Sequence, residues 1–205
     1  MNYEILISFI GASMLLTLMP GPDILYVLMQ SITNGKKYGI VTAFGLVSGV
    51  IIHTTLVAFG VSAIIKHSEN LFLGLKVVGA LYLLFLAYKS LVSKEVIHLD
   101  KKVSSINMFK LYRRGFLMNV INPKVSIFFL AFFPGFLYSS TQNTIIQFYV
   151  LGILFMLQAF IIFTLVSILS GQFSSYLNSH KSFSKNIKWF KVIVFIAIAI
   201  FILFS

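Results

Sequence analysis

The 205-residue chain contains no cysteine, which excludes disulfides, thiolate metal sites and thiol-redox relays. Charge is nearly as scarce, at 10% of residues against roughly 25% in a soluble domain. Only five residues are acidic, and Asp23 alone lies inside an apolar run. A paired-carboxylate intramembrane hydrolase therefore has no second member. His-Glu-x-x-His is missing, and Gly45-Leu46-Val47-Ser48-Gly49 resembles a nucleophile elbow only superficially, within a helix. There is no nucleotide-binding loop and no metal cluster. The chain reads as neither an enzyme nor a cofactor carrier, and not as a primary pump by itself.

Apolar residues make up 59% of the chain, in six stretches near 5–31, 39–65, 70–90, 115–137, 144–169 and 188–204. Each approaches the ~20 residues needed to span a bilayer core. The expected fold class is an all-α integral membrane protein with six transmembrane helices in a single bundle. The start, Met1-Asn2-Tyr3-Glu4, lacks a basic n-region and a cleavage site, so the first segment reads as a retained helix. No alternating barrel pattern is present, which argues against the outer membrane.

The net charge of +11 does not point to nucleic acid, because of where it sits. Lys36 and Lys37, the run from Lys89 to Arg114, and Lys181, Lys185, Lys188 and Lys191 hold thirteen of the sixteen basic residues. These follow segments one, three and five. The positive-inside rule places them in the cytoplasm and both termini outside, facing anionic lipid.

The densest signal is Met19-Pro20-Gly21-Pro22-Asp23, in the middle of segment one. Each proline removes a donor and blocks the helix, and opened backbone at membrane depth must be buried in protein or line a polar cavity. A carboxylate there marks a substrate or proton path by default. Segment four repeats the device at Asn119, Asn122, Pro123 and Lys124. Pro20 and Pro123 are 103 residues apart, and Asp23 and Lys124 are 101 apart. The chain thus divides into three-helix repeats at 1–92 and 115–205, joined by a basic linker at 93–114. An odd number of spans inverts the second repeat, the pattern of secondary transporters with midplane sites between broken helices.

A small zwitterion would find an anion for its ammonium in Asp23 and freed carbonyls. Lys124, Asn119, Asn122 and helix-end amides would serve its carboxylate. Asp23 and Lys124 also suit a mutual pair, either working or static. His53, on a face with Gly45 and Gly49, reads as a proton shuttle or a packing histidine. Gln158 serves as interhelical glue or substrate contact. Gly45 and Gly49 allow close approach, inside the bundle or between two copies. Lys76 reads as a snorkelling residue.

These residues resemble the lysine exporter (LysE) family, and within it the homoserine/threonine-efflux branch. The matching elements are Pro20-Gly21-Pro22-Asp23, the Gly45/Gly49/His53 face, and Lys76-x-x-Gly79-Ala80-Leu81-Tyr82-Leu83 through Tyr88-Lys89. Gly115-Phe116-x-x-Asn119-x-x-Asn122-Pro123-Lys124 and Phe133-Pro134 complete the set. They cover helices one to four, and the final third matches in hydropathy alone. The resemblance implies an inner-membrane exporter of amino acids or their derivatives, driven by proton exchange, with monomer and homodimer both open. The alternative is a small-solute or ion channel, or a structural membrane subunit.

Overall fold

The computed structural model describes residues 2–92, 107–172 and 183–204. The linker stretch 93–106, with Glu95 and Asp100, lies outside the described residues, as does Lys181. Helix α1 (Tyr3–Leu18) starts at Asn2, whose side chain accepts from Glu4 N at 3.0 Å. α2 (Pro22–Asn34) begins with proline at its first position, where no intrahelical donor is needed. The two form a pair bent by 60° at Met19–Gly21. Gly35, with φ of 99°, makes the left-handed turn into α3 (Lys36–Leu56). α3 continues through a π-helical turn at Val57–Val61 into α4 (Ser62–His67), and α5 (Glu69–Val92) follows.

α6 (Met108–Val120) begins earlier than the apolar stretch at 115–137, inside the range read as linker. Lys110, Arg113 and Arg114 dilute its hydropathy, so composition alone hides its first two turns. α7 (Pro123–Ile127) runs into a π-helical turn at Phe128–Phe132 and a 3₁₀ turn at Phe133–Phe136. α6 and this continuation are bent by 47°. α8 (Thr144–Ile168) and α9 (Phe183–Phe204) complete the described chain. Among the described residues, three helices are long and apolar enough to cross a membrane, and five spans result when each bent pair counts as one.

α3 is the central helix, packed on α2, α6 and α8, while α5 packs on α9 and the Phe128–Phe132 turn. The α3–α6 contact depends on glycine. A Cβ on Gly45 would overlap the Tyr112 carbonyl, and one on Gly115 would come within 2.5 Å of Thr42 O. The small face of α3 is therefore used inside the bundle. Around the second break, Phe129 and Phe133 meet with tilted rings, centroids 4.4 Å apart, and Phe9 of α1 meets Phe133 edge-on at 5.4 Å. Lys76 Nζ turns back over the Phe72 ring at 5.0 Å, a cation–π contact one turn toward the start of α5.

Overpacking at the α3–α6 seam should be costly. Gly45→Val is expected to destabilise the protein by about 1–3 kcal/mol. Gly74→Ala, where an added Cβ meets nothing within 4 Å, should leave it unchanged or raise it by up to about 1 kcal/mol. Thermal unfolding in detergent measures both, and equal melting temperatures would contradict the seam.

Candidate functional site

In a helix the N–H of one residue donates to the carbonyl four positions back, and proline has no N–H to give. Pro20 thus deprives Leu16 O of its donor, and Pro123 does the same to Asn119 O. Neither carbonyl is left unmet. Lys124 Nζ, from the second break, donates to Leu16 O at 3.3 Å. His53 Nε2 lies 3.1 Å from Asn119 O; a carbonyl only accepts, so this nitrogen carries the proton. Asn119 O also accepts from Asn122 N at 3.0 Å.

The reverse contact joins the breaks a second time. Asn122 Nδ2 donates to Asp23 Oδ2 at 2.6 Å, across 99 residues of sequence. Asn122 is also the N-cap of α7, its Oδ1 accepting from Lys124 N at 3.1 Å. One amide side chain therefore starts α7 and fixes the acid of α2. Asp23 lies in the first turn of α2, where the helix dipole favours a negative charge. Its Oδ1 is buried without a hydrogen-bond partner.

Asp23 and Lys124 act on each other electrostatically, but their hydrogen bonds go elsewhere, to Asn122 and to Leu16 O. Two crossed contacts join the breaks alongside that attraction. Both residues line one small cavity, with Thr17 and Asn119 as its other polar members. Leu46, Val47 and Val50 of α3 and Phe155, Ala159 and Phe163 of α8 form the apolar wall. The volume is about 20 Å³, enough for a water and too little for an amino acid.

The other two candidates stand just behind this cavity. His53 is buried beside Phe129, ring centroids 5.7 Å apart, and reaches the second break through the Asn119 carbonyl. Gln158 Nε2 donates to Thr17 Oγ1 at 3.0 Å, which ties α8 to the last turn of α1, and its Oε1 has no partner. Pro20, Gly21, Pro22 and Pro123 occupy the breaks themselves. The Leu16 carbonyl and Thr17 were missed in the sequence, although Leu16 could have been found by counting four back from Pro20. Among the described residues, no group of three or more His, Asp or Glu stands close enough to hold a metal.

A family profile described as LysE type translocator matches residues 14–205. A leucine efflux protein of Enterobacter sp. (strain 638) is 32% identical over 188 residues, covering 87% of this chain and 85% of the relative. A leucine efflux protein of Salmonella choleraesuis is 30% identical over 183 residues, covering 87% and 84%. No solved structure matches.

Asn122→Ala should leave Asp23 Oδ2 without its donor and α7 without its cap. The unpaired buried carboxylate alone costs about 1–3 kcal/mol. In an Asp23→Ala background only the cap is lost, roughly 0.5–2 kcal/mol. Unfolding of the four proteins in a double-mutant cycle measures the difference; an equal cost in both backgrounds would show the two residues uncoupled.

Proposed function

The chain belongs to the LysE type translocator family, and from that premise we propose that it carries amino acids out of the cytoplasm in exchange for protons, with leucine-like aliphatic amino acids as cargo. The observation that supports this reading is the cavity where the two breaks meet, with Asp23 and Lys124 on one side and aliphatic and aromatic side chains on the other. Those are the groups a zwitterion with an apolar side chain requires. The relatives named leucine efflux protein favour the same cargo.

Exchange follows from scarcity. Among the described residues Asp23 is the only acid lining the cavity, so a proton and a cargo ammonium compete for one carboxylate. Mutually exclusive occupancy is what antiport requires, and each ligand can shift only the conformation it binds better. A permanently open pore would need a continuous wet path, whereas this cavity admits a water at most.

On the same reading the protein is a multi-pass inner-membrane protein built from two inverted three-helix repeats. Their first members are the pairs bent at Pro20 and Pro123, and the basic stretch between Val92 and Met108 joins the repeats. Six spans place both termini outside. Asp23, Asn119, Asn122 and Lys124 meet cargo or proton, Gln158 shapes the site through Thr17, and His53 holds the second break from behind.

Cells fed leucine-containing dipeptides should accumulate more external leucine with this protein than without it. Asp23→Asn and Lys124→Gln, present in the membrane at wild-type abundance, should each cut export about tenfold or more, since each removes a charged contact worth above ~1.4 kcal/mol. Wild-type export in both variants would eliminate the reading. Topology has its own check, aided by the absence of native cysteine. An impermeant maleimide should label Ser205→Cys in intact spheroplasts and Lys37→Cys only after permeabilisation; the opposite pattern would invert the assignment.

A further inference from the structure

The two contacts between the breaks run crosswise, and each occupies a group that suits one end of an amino acid. The acid of the first break is held by the second through Asn122 Nδ2 at 2.6 Å. The ammonium of the second break is held by the first through Leu16 O at 3.3 Å. Both partners on the protein side are neutral, an amide and a carbonyl. A cargo ammonium is a stronger donor to Asp23 than an amide, and a cargo carboxylate a stronger acceptor for Lys124 than a carbonyl.

We propose that cargo is recognised by exchanging both contacts together. Its carboxylate draws Lys124 Nζ off the Leu16 carbonyl, and its ammonium replaces Asn122 on Asp23. Among organic ligands, only a molecule with both groups free then releases the two breaks from each other. The proposal rests on the exporter reading above and specifies its substrate class: unblocked α-amino acids, with amines and carboxylic acids as inhibitors.

Three further observations support the exchange. Asp23 Oδ1 is already buried without a partner, so the carboxylate has an acceptor to offer before Asn122 departs. Lys124 Nζ rests against bare backbone, where a Cβ on Gly21 would stand 3.4 Å away, so no side chain at Gly21 comes between it and the first break. The cavity of about 20 Å³ has no room for cargo beside the existing contacts, so entry and release are one event. Replacing ion for dipole at both ends leaves no buried charge unpaired. A ligand with one charged end leaves one crossed contact in place and the breaks still tied.

The test uses the full chain in proteoliposomes, with protein-free vesicles measuring passive leak. Labelled leucine should exchange against unlabelled leucine. Isopentylamine and 4-methylpentanoate should each slow that exchange, yet cross at least about tenfold more slowly than leucine above leak, because the remaining charged contact still holds the closed arrangement. Spin labels on Leu18→Cys and Ile121→Cys, which flank the breaks, should report a changed distance with leucine and an unchanged one with either analogue. Carriage of either analogue at the rate of leucine would overturn the double exchange, as would failure of both to compete. If no amino acid is carried at all, the exporter reading falls and this proposal falls with it.

Discussion

Two carbonyls, Leu16 and Asn119, lose their helical donors to Pro20 and Pro123, and the centre of the bundle is arranged around replacing them. A bilayer core offers no water to take over. Lys124 replaces the donor to Leu16, and His53 together with Asn122 N replaces the donor to Asn119. The dependence is mutual. A lysine at this depth needs an acceptor as much as the carbonyl needs a donor, and the break in α1–α2 supplies it. Asn122 closes the circuit by capping α7 while holding Asp23. Neither break is a complete structure without the other.

This interdependence explains why the architecture was partly legible in the sequence. A proline beside an ionisable residue is a local signal, and it located both breaks and grouped Asp23, Asn119, Asn122 and Lys124. The start of α7 could also have been read there, since Asn-Pro is a cap followed by a first-turn residue. Which donor meets which acceptor was not visible. Asp23 and Asn122 are 99 residues apart, and hydropathy carries no information about the rotation that aims one at the other. Opposite charge favoured a direct Asp23–Lys124 pair, but the freed Leu16 carbonyl competes for the lysine. His53 was read as a shuttle or a packing residue, and its bond to Asn119 O requires the position of α6 against α3. That position depends on Gly45 and Gly115, whose missing side chains let the backbones meet.

The surroundings of the breaks also differ at the two ends of the bundle. At the end that carries Lys36, the interface contains Ser31, Gly39, Thr42 and Ser167; a Cβ on Gly39 would lie 2.7 Å from Ser167 Oγ. The three hydroxyls donate within their own helices, to Val27 O, Tyr38 O and Phe163 O at 2.7, 2.9 and 2.9 Å. Parting those helices at this end therefore leaves these three hydrogen bonds intact.

The end that carries the N-terminus is built differently. Phe9, Phe133, Phe136 and Phe148 are all buried there, with Phe133 and Phe148 stacked at 5.7 Å and Phe9 edge-on to Phe136 at 5.3 Å. Wetting one such ring exposes roughly 150–250 Å², at about 25 cal/mol for each apolar Å², so even a few rings cost several kcal/mol. A carrier must part each end in turn, and parting the aromatic end carries this cost. For a carrier that loads from the basic side, the phenylalanine layer is then the barrier that cargo binding has to offset, and the crossed contacts at Asp23 and Lys124 are where that binding free energy is applied.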